Sequence, residues 1–437
     1  MQALALLNSI ITAVRTGTVA QANRMAAVGP PAAPPQAVHS ARRTVVQATA
    51  GVSPAPAGCH RFVDIGANLL DSMFEGDYRG KQAHPPDIGA VLARAAAAGV
   101  ERAIVTAGSL DESRAALEFV RAQRAAGSPV QLYCTIGVHP TRSLEFVPPA
   151  ERAMLEAAMK DLADAGDDGA TAASKQGRLD ALEAELTGGG AAASAFAAHL
   201  TAHVAALRVL LEEGIAEGIA VAVGECGLDY DRLHFCPAGV QRLGFEAQLA
   251  LAASSKLPLF LHNRNTGGDF GSVCAARRDM MSAGGVVHSF DGDAVELEQL
   301  LSLGLHIGLN GCSLKTADNL DVAAKVPLSA LHLETDAPWC AIKRTHAGHA
   351  HTRPLLDPAT GAPYLEVKKE KWQSGAVVKD RCEPCHIVHV LEVVSGARRA
   401  AAGSAGKDER AAAEEEERVA AAAHANSVQM FWPAERL

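Results

Sequence analysis

Past residue 60 the chain keeps returning to one unit, a short apolar run that stops at a polar or small residue. The eight runs read RFVDIG, RAIVTAG, QLYCTIGVHP, AVAVGECG, LPLFLHNR, GGVVHSF, LHIGLNG and LHLETDAP. Near-continuous apolar stretches of this length are what strands buried on both faces require. Helical segments lie between them, among them PDIGAVLARAAAAG, ESRAALEFVRAQRAAG and GVQRLGFEAQLALAASS. Strands alternating with helices imply right-handed crossovers and a parallel sheet. Eight such units predict an α/β fold, a (β/α)8 TIM barrel, whose usual size is about 250 residues.

The chain has 437 residues, so the barrel must carry additions. From His139 to Glu225 is 86 positions, whereas the other intervals between strand ends run from 22 to 42. The excess, about 150–216, is alanine-rich and broken by DAGDDGATAASKQG and TGGGAAASA. It reads as a surface insertion of helices joined by disordered loops. Residues 350–380 read as a second loop, and GKDERAAAEEEERVAAAAHANS as an exposed C-terminal helix with a solvated charged face. At the other end, residues 1–63 contain no Asp or Glu but carry Arg15, Arg24, Arg42, Arg43 and Arg61. An Arg-bearing, acid-free start is the composition of an organellar transit peptide, and GPPAAPPQ reads as an extended spacer. The expected organisation is a disordered transit segment over 1–58 and one barrel over 59–437. The expected location is chloroplast or mitochondrion, with cytoplasm or nucleus as the alternative.

A net charge of −9 gives no support for gripping duplex nucleic acid by bulk electrostatics. It does not exclude a nucleic-acid substrate, because a bound metal ion can supply the positive field locally. Nine cysteines without regular spacing do not form a disulfide framework. No uninterrupted apolar run approaches the roughly 18 residues of a membrane span.

In a barrel of this kind chemistry sits where strands end and loops begin. The residues at those places are Asp64, His139, Glu225, His262, His288, Asn310 and Asp336. Carboxylates and imidazoles dominate, and barrel geometry brings them together. A carboxylate ending a buried strand, as Glu225 does between Gly224 and Gly227, requires a partner. Glu225, His262 and His288 can hold one divalent ion, and Glu225 can bridge to a second held also by Asp336. Mixed nitrogen and oxygen donors suit Zn, Mn or Fe, while carboxylates and water suit Mg.

These residues lie in motifs that resemble a known family. DIGANL, GVHPTR, GECGLDYDR, LPLFLHNRN, GGVVHSFDG, IGLNGCSLK and ETDAPWC are similar, in this order, to the TatD-type metal-dependent deoxyribonucleases. FEGDYRGKQAH, DRLHFCP, RTHAGHAH and EPCHI resemble its eukaryotic branch. The likeness spans about 60–437, interrupted by the insertion. It implies a distorted TIM barrel that hydrolyses DNA phosphodiesters from the 3′ end with Mg, or with Mn or Zn, one or two ions per chain. Glu225 would be the shared ligand, His262 and His288 ligands of one ion, and Asp336 of the other. Metal-activated water would attack phosphorus, with Asp336 as proton acceptor. His139 would contact substrate near the scissile phosphate and take part in catalysis with Asp336 and Glu225. Arg264 is a candidate phosphate contact, because a guanidinium matches phosphate oxygens in a fork. Lys343 and Arg344, in the loop after the eighth strand, are further candidates, and Trp339 could stack on a base. The implied partner is DNA, single-stranded or at strand ends, with no membrane and no obligate protein partner.

Three departures qualify the likeness. Many relatives open with Asp-x-His-x-His, where this chain reads Asp64-Ile65-Gly66-Ala67-Asn68; the first metal position therefore has fewer protein ligands. Asp64 and Asn68 stay as weaker candidates. The usual HCR is His262-Asn263-Arg264, which keeps the ligand. The usual RNEP is Arg381-Cys382-Glu383-Pro384, which leaves Glu383 a supporting role. That change creates a C-x-x-C-H match at Cys382, Cys385 and His386, but the segment opens a helix and reads as structural rather than haem-binding. Two other functions fit the same barrel: a metallohydrolase of a small ester or amide, and a non-catalytic scaffold.

Overall fold

The computed structural model describes Thr12 and residues 60–164, 169–188, 190–404 and 408–435. The transit-peptide expectation for 1–58 lies, Thr12 aside, outside the described residues.

The eight apolar runs form eight strands: β1 (Phe62–Ala67), β2 (Val100–Val105), β3 (Gln131–Ile136), β4 (Ala220–Asp229), β5 (Leu259–Arg264), β6 (Gly285–Val287), β7 (His306–Leu309) and β8 (Leu331–Leu333). They are hydrogen-bonded in sequence order, each pair parallel. The ring closes between the last and first strands, where Asn68 N donates to Ala337 O at 2.6 Å and Asp336 N to Gly66 O at 2.8 Å. This is the barrel that the sequence implied.

Helices coat the outside: α1 (Ile88–Ala97), α2 (Leu110–Ala125), α3 (Pro149–Ala163), α4 (Gly169–Gly188), α5 (Ala191–Ala216), α6 (Ala238–Ser255), α7 (Asp269–Ala276), α8 (Ala294–Ser302), α9 (Ala317–Lys325), α10 (Ile387–Ala401) and α11 (Glu409–Phe431). Several start on a side-chain cap directly past a strand. Ser109 accepts from Glu112 N at 3.1 Å before α2, and Asp293 from Glu296 N at 2.9 Å before α8. Such caps satisfy helix N–H groups that have no partner within the helix.

Three expectations need correction. The alanine-rich insertion is not a surface appendage. Within α5, Phe196, Leu200, Val204, Leu207 and Leu211 are buried, and the helix packs on α2, β4 and α6 as the barrel's own crossover. Their spacing of 3 or 4 is a helical stripe, so the apolar face wins over the low-complexity look of its alanines. Helix also covers most of DAGDDGATAASKQG and TGGGAAASA, where loops were expected. Second, α5 is long and apolar enough, by length and composition, to cross a membrane, although its apolar face is taken up by the barrel. Third, the C-terminal helix is not simply exposed. Val419, Ala420, Ala423, Ser427 and Val428 of α11 are buried, and Phe431 and Trp432 close the barrel end where the strands begin. There they join Val63, Ile65, Ile104, Val221, Phe260 and Val286 in one apolar cluster. The looser stretch around 350–380 contains a two-stranded parallel ladder, β9 (Glu366–Val367) with β10 (Val377–Val378).

Candidate metal centre

The opposite end, where the strands finish, is polar. Neighbouring ladders set its layout. Gly227 of β4 pairs with His262 of β5, and Leu261 pairs with Val287, so His262 and His288 lie side by side. A register irregularity between Gly224 and Cys226 leaves Glu225 on the inner face of β4. Gly224 and Gly227 both have positive φ, +146° and +147°. A Cβ on Gly227 would strike the carbonyl oxygen of His262, so only glycine lets β4 approach β5 this closely.

Glu225 Oε1 is the hub. It lies 2.8 Å from His262 Nδ1, 2.7 Å from His288 Nε2 and 3.3 Å from His139 Nε2. His139 is oriented by its other nitrogen, which accepts from Thr141 N at 3.2 Å and so leaves Nε2 to face the carboxylate. The far sides of these two imidazoles meet further carboxylates: His262 Nε2 approaches Asp229 Oδ2 at 3.3 Å, and His288 Nδ1 approaches Glu334 Oε2 at 3.6 Å. Glu334, His288, Glu225, His262 and Asp229 thus alternate anion and imidazole across the barrel mouth. Carboxylates behind imidazoles are the usual means of fixing ring orientation in metal sites.

The electrostatics follow from this crowding. Burial alone would raise the Glu225 carboxyl, but His288 and His139 hold it well below the usual range. Burial would lower His288, yet Glu225 and Glu334 raise it well above an ordinary imidazole. Burial lowers His139, with Glu225 only partly opposing. Asp336 is pushed up to about 6, mainly by burial, with Glu334 and Glu225 adding to it and His288 opposing.

This donor set fits a divalent cation. Glu225, His262 and His288 present donor atoms within 4.8 Å of one another, as do His139, Asp229 and His262. Asp64, Glu225, Asp229 and Glu334 are all buried, and His262 Nε2, His288 Nδ1, Asp229 Oδ1 and Glu334 Oε2 make no hydrogen bond. Buried polar atoms without partners are costly, and a cation relieves several at once.

The remaining sequence candidates divide. Asp336 stands beside the cluster, with Oδ1 accepting from Asn68 Nδ2 at 2.7 Å and Oδ2 from Cys340 Sγ at 3.2 Å. Asn68 therefore binds Asp336. A side chain at Gly66 would lie 2.7 Å from Glu334 Oε2, so this space is already filled. Asp64 is turned to the backbone and hydroxyl of Thr335, at 2.9 and 2.6 Å, and holds the end of β8. Arg264 reaches in from β5, 3.7 Å from Asp291. Asn310 donates to Glu334 at 3.2 Å and accepts from Cys312 N. Lys343, Arg344 and Trp339 are exposed on the loop after β8. Glu383 is fully buried between Arg94 and Arg381, at 2.7 and 2.9 Å, and ties α1 to the segment before α10. Cys382 and Cys385 are buried in that same region, as the structural reading of the C-x-x-C-H match expected.

Sequence reasoning missed Asp229 and Glu334. Asp229 was findable, because 225, 227 and 229 share the inner face of one strand, opposite the outward Cys226 and Leu228. Glu334 needed its neighbours in space, Ser289 and Asn310, to be recognised.

Comparison with known proteins points to the family that the motifs resemble. The family model described as TatD related DNase matches residues 63–432. A Schizosaccharomyces pombe protein, "Deoxyribonuclease Tat-D", is 35% identical over 338 residues, which are 77% of this chain and 89% of that protein. A Yersinia pseudotuberculosis protein, "3'-5' ssDNA/RNA exonuclease TatD", is 32% identical over 279 residues, 63% of this chain and 79% of that protein. Among solved structures, a hydrolase TatD family protein from Entamoeba histolytica superposes with a TM-score of 0.62 at 30% identity, covering 86% of this chain and 99% of that one.

Proposed function

The chain belongs to the TatD-related family of metal-dependent deoxyribonucleases, and from that premise we propose that it is a magnesium-dependent 3′–5′ exonuclease acting on single-stranded DNA or on strand ends. The observation that carries the reading is the convergence of His262 Nδ1 and His288 Nε2 on Glu225 Oε1, at 2.8 and 2.7 Å.

In this reading Glu225, His262 and His288 would hold one ion, and Asp336 with Glu225 would help to hold a second. Such ions supply a Lewis-acid centre that lowers the pKa of bound water and offsets phosphate charge. The chain's own residues do the rest. Asp336 would take the proton of the attacking water, its carboxyl being raised by burial and so a better acceptor than an ordinary one. Arg264 is held loosely, 3.7 Å from Asp291, so it can turn its fork to a phosphate. His139 presents Nε2 to a phosphate oxygen or to the leaving group. Asn68 and Asp64 position the β8 end that carries Asp336. Lys343 and Arg344 meet the strand's backbone, and Trp339, half exposed at 50%, offers a face on which a terminal base can stack. An acidic chain that relies on local cations is better suited to a strand end than to long duplex tracking.

The test is degradation of single-stranded DNA labelled at the 3′ or the 5′ end, with Mg²⁺, with EDTA and with Glu225→Ala. Metal-dependent stepwise shortening from the 3′ end that vanishes in the variant supports the reading. A folded, metal-loaded protein that leaves both substrates intact refutes it. We also propose that residues 1–58 direct import into chloroplast or mitochondrion; a fluorescent fusion of that segment that stays in the cytoplasm would refute this.

A further inference from the structure

A second reactive pair sits at the rim of the metal centre. Cys312 lies in the short turn Gly311–Leu314 that follows β7, and Cys340 in the loop after β8. Their sulfurs are 2.7 Å apart. The approach is built into the backbone, because a Cβ on Gly311 would collide with the carbonyl oxygen of Cys340. The two thiols also differ from the other described cysteines. Cys134, Cys226, Cys236, Cys274, Cys382 and Cys385 are buried, whereas Cys312 and Cys340 are partly exposed. A hydrogen bond from the Cys340 thiol favours the Cys312 thiolate, with Lys315 adding to it against the opposing effect of burial. Cys340 Sγ in turn donates to Asp336 Oδ2 at 3.2 Å.

We infer that Cys312 and Cys340 form a redox-active dithiol, which a small disulfide of the glutathione class oxidises to an internal disulfide. The Cys312 thiolate attacks one sulfur of oxidised glutathione and releases one glutathione thiolate. Cys340 then loses its proton to solvent and attacks the Cys312 sulfur, expelling the second glutathione. Two protein thiols become one disulfide, and one small disulfide becomes two thiols. The product sulfur of Cys340 has no hydrogen left to donate to Asp336. Resting on the nuclease reading above, this makes the oxidised form the slower one.

The experiment incubates the reduced full chain with oxidised glutathione, then maps its peptides without reductant by mass spectrometry. The expected result is a Cys312–Cys340 linked pair, lighter by two hydrogens and reversed by dithiothreitol. It should be absent in Cys312→Ser, which keeps the wild-type reduced activity. A folded protein that yields no linked pair, or only a lasting glutathione adduct, overturns the dithiol. Activity is read in parallel: the wild type should slow severalfold on oxidation and recover on reduction, while Cys312→Ser stays unchanged. A linked pair with unaltered turnover overturns the control of activity. A reduced protein without nuclease activity refutes the nuclease reading instead, and the peptide map still decides the dithiol.

Discussion

The two ends of the barrel are made from the same eight strands and treat buried polar groups in opposite ways. Where the strands begin, His332 is fully paired, with His306 Nδ1 at 2.9 Å and Ser427 Oγ at 2.8 Å. Phe431 and Trp432 fill the opening, Trp432 against Tyr133 at 4.6 Å between ring centroids. Among the described residues only Trp432 Nε1 and Arg102 Nη1 lack hydrogen-bond partners there. Where the strands end, His262, His288, Asp229, Glu334 and Arg264 all keep a buried atom without a hydrogen bond. One end is closed by apolar packing and hydrogen bonds that water cannot improve. The other holds a cluster of charge whose donor set fits a divalent cation. The contrast separates residues kept for stability from residues kept for chemistry, and it can be tested from both sides.

The largest effect is expected at the open end. Glu225→Gln should lower the rate of strand shortening by roughly 10³-fold, the scale of losing one preorganised stabilising group. Its urea unfolding midpoint should fall modestly, since His288 and His139 lose the carboxylate that they hold. A variant that does not fold at all would mean that Glu225 is a structural residue. The reverse is expected of Phe431→Ala, which should cost about 3–5 kcal/mol in urea unfolding while the folded fraction keeps its rate. Loss of activity ahead of unfolding would break the comparison.

Gly227→Ala should affect both measures, because its +147° φ and its contact with the His262 carbonyl belong to the scaffold and the site alike. The conformational part alone is about 1–3 kcal/mol, and thermal melting with a parallel rate measurement reads both. The smallest effect is a pH slope at the closed end. Burial would raise Glu101, but hydrogen bonds from His424 of α11 and Arg61 bring it down to about 2 from an ordinary 4.5. A lowered carboxyl contributes stability that is present above pH 4.5 and lost as pH falls towards 2. Glu101→Gln should flatten the decline of the unfolding midpoint in that window; an unchanged slope would show that the pairing does not hold α11.

The barrel was readable because strands buried on both faces cannot hide their apolar runs. Glu225, His262, His288 and Asp336 were readable because ionisable residues directly past such runs are otherwise costly. What escaped needed information that lies across the fold. The alanines of α5 masked the stripe Phe196, Leu200, Val204, Leu207 and Leu211, and the glutamates of α11 drew attention from its buried Val419, Ala423 and Phe431. Glu334 was hidden beside Asp336, and Cys312 and Cys340 are 28 positions apart yet in contact. The replacement of imidazoles at Gly66 and Asn68 was visible in the sequence, but not that Asn68 binds Asp336 at 2.7 Å.

The central claim is that the open end is a cation site built around Glu225. Calorimetric titration of Mn²⁺ into metal-stripped protein tests it most directly, with Glu225→Gln titrated alongside. The account predicts saturable binding to the wild type that is lost in a variant that remains folded. Equal binding by both proteins, or none by the folded wild type, would contradict it.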